Sequence, residues 1–452
     1  MELLLGNMTD TQRSDYVSTV QQRIAELARE RPKECFTALN HYLTVDWLKA
    51  AFERVKSDSA PGVDGQSWEE YWQGLEKNLP DLLDRVKSGS YFAPPVKRVH
   101  IPKGDGKETR GIGMPTIEDK LLQRAIAMLL EPIFEQDFKP FSYGFRPGRS
   151  PHKALAWIWS QCMNQGIRWI LEVDIRKYFD TLKKAWLRKF LDRRVRDGVV
   201  RRLIDKWLAA GVWEKGQVSY PEDGTPQGGV ISPLLSNIYL HEVLDCWYEN
   251  EVKPRMKGRI FLVRFADDFI LGFEYKEDAE KVYRVLFKRF DKYGLSLHPE
   301  KTRLVPFGRP PVTASDSSDS PKPGSFDFLG FTHYWGKSRK GRWVIWRKTM
   351  RKRITRGLKA MNQWCRENRH EPMLRQVEQL GRKLKGHFGY YGITGNFASL
   401  QRFRWEGIKI WRKWLGRRGD PKGMPWERMN QLLEVFYIPE ARVVHSVYAA
   451  KP

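Results

Sequence analysis

The residues best suited to chemistry in this chain are carboxylates. Phe265-Ala-Asp-Asp268 sits between two short apolar runs, Ile260–Val263 and Phe269–Gly272. Apolar strand, paired acids, apolar strand reads as a β-hairpin with two carboxylates at its tip. Adjacent ionised aspartates repel and add nothing to a core, and an Asp-Asp turn taken alone is most often simply solvated. A third acid changes that weighting. Asp174 follows an apolar run of strand length, Trp169–Val173, in Glu172-Val-Asp-Ile-Arg-Lys-Tyr-Phe179. Carboxylates at the ends of adjacent strands can converge, and hard oxygen ligands of this kind hold Mg²⁺ together with several waters. Two such ions, roughly 4 Å apart, would activate a 3′-hydroxyl and stabilise a leaving pyrophosphate, which is the apparatus of nucleotidyl transfer.

The charge of the chain points to the same substrates. Over 452 residues, 79 Lys and Arg stand against 54 Asp and Glu, a net charge of +25. A surplus of that size indicates a polyanionic partner, because neutralising phosphates releases condensed counterions. It is not spread evenly. Residues 341–420 hold 21 Lys and Arg against 5 Asp and Glu, with six Trp. The four cysteines, Cys35, Cys162, Cys246 and Cys365, are too few for a disulfide framework and never two or three apart, which argues against a zinc finger and for a reducing compartment. The amino terminus lacks the pattern of a signal or transit peptide, and no stretch approaches 18 apolar residues, so no membrane span is expected.

The elements that must carry these residues alternate between helix and strand. Residues 12–90 read mostly as helix, broken by the turn cluster APGVDG at 60–65. Val96–Ile101 alternates as a strand and runs into a Gly/Lys turn at 102–107. Helical stretches follow at 117–136, around 183–210 and at 233–252, with further strands at Asp327–Phe331 and Trp343–Trp346. Arg309–Ser325, rich in Pro, Ser and Asp, reads as a loop or linker. Helices interleaved with few strands give an α+β fold.

Nine blocks, in order, make the chain resemble a reverse transcriptase of the group II intron-encoded type. They are PGVDG (61–65), VHIPKGDGKETRGIGMPTIEDKLLQRAI (99–126), FSYGFRPGRSPHKAL (141–155), EVDIRKYFDTL (172–182), TPQGGVISPLLSNIYL (225–240), RFADD (264–268), LHPEKT (297–302), FLGF (328–331) and GHFGYYGITGN (386–396). The resemblance implies a right-hand polymerase: an N-terminal helical extension over 1–90, fingers and palm over 91–340, a basic helical thumb or maturase domain over 341–420, and a tail over 421–452. It places Asp174, Ile175, Asp267 and Asp268 around two Mg²⁺ ions, with the three aspartates as the catalytic set. The family usually has Tyr where Phe265 stands, a change bearing on primer positioning rather than metal binding. Phe179 falls where an aromatic ring would clash with a 2′-hydroxyl and favour dNTPs.

The resemblance further assigns Lys103 and Arg110, flanking the Gly/Lys turn, to the triphosphate. Two cations on a closing hairpin could neutralise developing charge, although such a turn alone is more often a solvated tip. Gln227 would lie near the nucleotide and template base, with Gly228 allowing close backbone approach, and Lys301 would act as general acid towards pyrophosphate. Phe328, Leu329 and Gly330 match the primer grip. Arg146 and Arg149 match template-phosphate contacts. Arg347, Lys348, Arg351, Lys352 and Arg353 would present cations to RNA along the thumb, whereas Trp364, Trp411 and Trp414 are expected in its core. The GHFGYYGITGN stretch separates the chain from retroviral and retron relatives, and the lack of paired cysteines argues against an H-N-H endonuclease segment. The implied activity is RNA-directed DNA polymerisation coupled to binding and splicing of group II intron RNA. Its partners would be that RNA, an RNA template with DNA primer, dNTPs and a DNA target, in the bacterial cytoplasm at the nucleoid. Two alternatives carry the same motifs: a splicing cofactor that needs no polymerase activity, and a domesticated relative serving DNA repair or phage defence.

Overall fold

The computed structural model describes residues 9–103, 108–224, 228–311, 324–419 and 423–448. Among these residues are eleven strands: β1 (Val96–Lys103), β2 (Glu108–Met114), β3 (Trp169–Val173), β4 (Val212–Glu214), β5 (Gln217–Ser219), β6 (Ile260–Phe265), β7 (Asp268–Phe273), β8 (Arg303–Pro306), β9 (Phe326–Phe328), β10 (Phe331–Lys337) and β11 (Trp343–Thr349). Helices lie between β2 and β3, β3 and β4, β5 and β6, and β7 and β8, and more helices precede β1 and follow β11, so the α+β expectation holds. No helix of the described residues is long and apolar enough to cross a membrane.

The chain folds as two compact units, each assembled from several stretches. The first comprises residues 1–147, 174–255 and 284–298. Its centre is the helix Ile117–Asp137, in which Leu121, Leu122, Ala125, Ile126, Leu129, Leu130 and Ile133 are all without exposure. A helix buried nearly all round needs neighbours on every side. One of them is Asp10–Glu30, started by a Thr9/Gln12 capping box and buried through Val17, Val20 and Ile24. Trp47 donates its indole N–H to the Ala125 carbonyl at 3.0 Å. This unit's sheet has the order β2-β1-β4-β5, with β1 and β2 antiparallel and Ile101 opposite Arg110. Where the sequence pattern predicts helix around 183–210, the structure has two helices, Lys184–Leu191 and Gly198–Ala209, the second started by Asp197, whose carboxylate accepts from the N–H groups of Val199 and Val200.

The second unit comprises residues 148–173, 256–283 and 299–452. It holds the sheet β6-β7-β3-β8, all neighbours antiparallel, and the sheet β11-β10-β9. Its helical part, Arg351–Glu367, Met373–Tyr391, Phe397–Leu415 and Trp426–Val435, closes on a core of Met361, Leu380, Leu384, Phe388, Leu400 and Trp411. As expected, Trp411 is buried, donating to Gln376 Oε1 at 3.0 Å, and Trp364 and Trp414 pack against that core. Beyond Arg418 the chain is more than a tail. The helix Trp426–Val435 contributes Met429 to the core, and the segment after it is strapped down where the Val444 and His445 amides donate to the Gly392 carbonyl.

Candidate active site

The paired aspartates lie in the second unit, at the tip of the hairpin between β6 and β7. Phe265 pairs with Asp268, leaving Ala266 and Asp267 as a two-residue turn. Ala266 takes φ +56°. That is a left-handed conformation in which an L side chain is strained, and such strain is held where surrounding structure overdetermines it. Here the support is Arg264, fully buried at 0% exposure, which donates from Nη1 to the Ala266 carbonyl at 3.2 Å. Asp267 is half-buried and Asp268 exposed, above a strand whose next three residues, Phe269, Ile270 and Leu271, are buried. Sequence reasoning passed over Arg264. A charged residue at an inward position of an otherwise apolar strand was the signal available.

In the same sheet β3 pairs with β7, Val173 standing opposite Phe269. The residues next along these two antiparallel strands are Asp174 and Asp268. Asp174 opens the second stretch of the first unit, where its carbonyl accepts from the His298 amide at 2.8 Å and Ile175 bridges Leu297. Asp174 is half-buried and the Ile175 side chain is buried, so Ile175 has only its carbonyl to offer a ligand. Among the described residues, no group of three or more His, Cys, Asp or Glu side chains is arranged to hold a metal ion. The acid pair at the β6–β7 turn nonetheless offers oxygen donors alone, the kind Mg²⁺ takes. That ion is ordinarily held by one or two carboxylates with waters and substrate phosphates rather than by an all-protein cage.

Beside Asp174 the chain turns sharply. Lys177 takes φ +43° before the short helix Tyr178–Thr181. Tyr178 is buried and its hydroxyl donates to the Ser236 carbonyl at 2.8 Å, which leaves the adjacent Phe179 half-exposed. Gly228 takes φ +117°, and a Cβ there would lie 2.2 Å from the Gly113 carbonyl oxygen on β2. Only glycine fits, so the approach to the helix Ser232–Leu240 is pinned to β2 by backbone contact. Gln227 lies outside the described residues. So do the tip of the β1–β2 hairpin and the side chain of Lys103; Arg110 is exposed on β2.

In the second unit, Lys301 is exposed on the turn before β8. Glu172 and Arg303, opposite one another on β3 and β8, form a short ion pair, and Glu172 also accepts from the Asp327 amide. Burial raises the Glu172 carboxyl, an effect opposed by the Arg303 contact. Phe328 pairs with Phe331 across a turn in which Leu329 (φ +50°) and Gly330 (φ +82°) are both left-handed, as a type I′ hairpin requires. The Tyr390 hydroxyl donates to the Leu329 carbonyl at 2.9 Å, and Phe331 packs against Tyr390 and Tyr391. The GHFGYYGITGN stretch thus ties this turn to the C-terminal helices. Asn396 within it is buried and bridges Thr349 and Tyr391.

Two expected RNA contacts are corrected. Arg146 is 7% exposed, and its guanidinium is consumed inside the first unit by Glu135 and the carbonyls of Lys139 and Ser142. Arg347 is 1% exposed and lies on β11, opposite His333, not on a helix. Its Nη1 donates to the Thr394 carbonyl at 3.0 Å, and Nε and Nη2 have no partner among the described residues. Burial lowers its pKa to about 10. A guanidinium so enclosed offers nothing to phosphate. Arg149 is half-exposed, and Lys348 is exposed at the end of β11, over the Tyr334 ring. Arg351, Lys352 and Arg353 are exposed on the first turn of the helix Arg351–Glu367.

The family model described as reverse transcriptase (RNA-dependent DNA polymerase) matches residues 101–333. Protein YkfC of Escherichia coli (strain K12) is 37% identical over 287 residues, 56% of this chain and 75% of YkfC. The group II intron-encoded protein LtrA of Lactococcus lactis subsp. cremoris is 36% identical over 225 residues, 50% of this chain and 37% of LtrA. Nuclear intron maturase 2, mitochondrial, of Arabidopsis thaliana is 28% identical over 220 residues, 38% of this chain and 30% of the maturase. The chain therefore spans three quarters of YkfC and about a third of the other two.

Proposed function

Because the chain belongs to the reverse transcriptase (RNA-dependent DNA polymerase) family, we propose that it extends a DNA primer on an RNA template and also binds group II intron RNA, assisting its splicing and mobility. The observation that carries the polymerase reading is the acid pair at the strained β6–β7 turn, in a sheet where β7 pairs with β3, the strand that ends one residue before Asp174 in the chain. Asp174, Asp267, Asp268 and the Ile175 carbonyl would hold two Mg²⁺ ions, which when bound lower the pKa of the primer 3′-hydroxyl and neutralise the leaving pyrophosphate. Arg264 holds the turn that carries Asp267. Phe179 faces the 2′ position of the incoming sugar, and Lys103, Arg110, Gln227 and Lys301 serve its triphosphate and base. The Leu329–Gly330 turn positions the primer backbone.

The intron-binding part is supported by the exposed cations Lys348, Arg351, Lys352 and Arg353, and by relatives named as a group II intron-encoded protein and an intron maturase. Primer extension on a heteropolymeric RNA, with dNTPs and Mg²⁺, tests the first part: full-length cDNA that is lost on chelation is expected. Absence of extension, with the protein still binding and promoting splicing of a group II intron RNA, would favour the splicing-cofactor alternative instead.

A further inference from the structure

In the first unit, Phe141, Ser142, Tyr143, Gly144 and Arg146 are all buried, and one ring stands out of the loop they form. Phe145 is 62% exposed and takes φ +55°. Either property alone would be unremarked: single exposed apolar side chains are common on proteins. Together they are costly, since a bulky residue is strained at positive φ and its ring gains nothing from burial. Glycine would serve the backbone better at this position. Such a residue persists where neighbours force the conformation, and strain of that kind is concentrated where a side chain contacts a ligand.

The neighbours do force it. On one side, the Gly144 carbonyl accepts from Asn237 Nδ2 at 2.7 Å, and Asn237 is 1% exposed in the helix Ser232–Leu240. On the other side, Arg146 spends its guanidinium on Glu135 and on the carbonyls of Lys139 and Ser142, the last two at 2.7 Å, and lies over the Phe138 ring. The backbone that carries the ring is thus fixed before any ligand arrives, so only the side chain's own rotamer freedom remains to be lost on binding. Position adds the second argument. Ser236, the residue before Asn237, takes the Tyr178 hydroxyl on its carbonyl and so fixes the chain beside Phe179. Consecutive residues of one buried helix therefore anchor the backbone beside the exposed Phe145 ring and the half-exposed Phe179 ring.

We propose that Phe145 is a preformed platform on which an unpaired nucleobase of the template strand stacks, next to the nucleotide site marked by Phe179. Every base has a π-face, so the contact tolerates sequence. Because Glu135 neutralises the neighbouring Arg146, the contact works by stacking rather than by charge. The inference takes its ligand from the polymerase reading but not its geometry, and the test is made without divalent metal so that the two fail separately.

The probe is an RNA–DNA primer–template with a single-stranded 5′ template overhang carrying 2-aminopurine at its first unpaired position, in a buffer containing a chelator. Phe145→Ala and Phe145→Leu should each weaken binding of this probe roughly 5- to 150-fold and release the 2-aminopurine quench, with the slope of affinity against salt unchanged. Phe145→Tyr should retain both. A blunt-ended duplex should bind all variants like the wild type. Phe145→Gly should lose the overhang contact while its thermal midpoint stays equal or rises, because the left-handed strain is relieved. Equal losses on blunt and overhang probes would overturn the proposal, as would wild-type quenching in Phe145→Leu. A lowered midpoint for Phe145→Gly would make the ring a structural element and overturn it too.

Discussion

Replacing Arg351, Lys352 and Arg353 together with Gln separates exposed cations from buried ones in the basic C-terminal part of the chain. All three lie on the first turn of the helix Arg351–Glu367 and are exposed. Each lysine or arginine that neutralises a phosphate contributes about 0.7–0.9 to the slope of log affinity against log salt. Loss of three contacts should lower that slope by about 2 to 2.7. Over a fourfold rise in salt, the wild type should then lose about 20- to 40-fold more affinity than the variant. Arg347→Met is the control: its guanidinium is enclosed at 1% exposure, so its slope should match the wild type although it too has lost a positive charge. Filter binding of a structured RNA at four or five salt concentrations gives both slopes. Equal slopes for the triple variant and wild type would refute the electrostatic assignment. A reduced slope for Arg347→Met would refute the reading of that residue as internal.

Phe179→Val should open the space beside the incoming sugar and raise ribonucleotide incorporation relative to deoxyribonucleotide by at least tenfold, about 1.4 kcal/mol of discrimination; single-nucleotide incorporation measures it, and an unchanged ratio means Phe179 only packs. Asp119 is buried against the Tyr91 hydroxyl, and desolvation pushes its carboxyl up to about 7. The folded protein therefore holds this proton more tightly than the unfolded chain, so the stability it contributes is full below about pH 4 and is lost as pH rises through about 7. Asp119→Asn should remove that fall, a few kcal/mol at most, so the thermal midpoints of variant and wild type should diverge between pH 5 and 8 in the variant's favour; parallel pH profiles would show that Asp119 does not titrate there.

Much of the fold was legible because local pattern and global structure agree. Ile260–Val263 and Phe269–Gly272 are continuous apolar runs because β6 and β7 are buried on both faces, and the polar break between them must hold the turn, which closes at Ala266-Asp267. The helix at 117–136 was visible because an unbroken apolar face runs between the Thr116 cap and Phe138. What escaped was set by partners distant in sequence. The hairpin β4–β5 is short, β5 is exposed throughout, and β4 is held by pairing with β1. Arg146 and Arg347 look like any other cation in a basic sequence. Only Glu135 and two packed carbonyls, or a strand opposite His333, turn them inward. Arg264 is a different case: its carbonyl partner, Ala266, is only two residues away, and the cue was a charged residue within an otherwise apolar strand.

The central claim is that the strand-end aspartates carry metal-dependent DNA synthesis on RNA. Asp267→Asn preserves the shape of the two-residue turn while removing one negative charge. Its single-turnover extension of a DNA primer on an RNA template, at saturating Mg²⁺ and dNTPs, is the most direct measurement, taken with affinity for the same primer–template. The account predicts a fall of at least a thousandfold in rate, about 4 kcal/mol of barrier, with affinity within about twofold of wild type, within 0.4 kcal/mol. Extension at a near wild-type rate would contradict it.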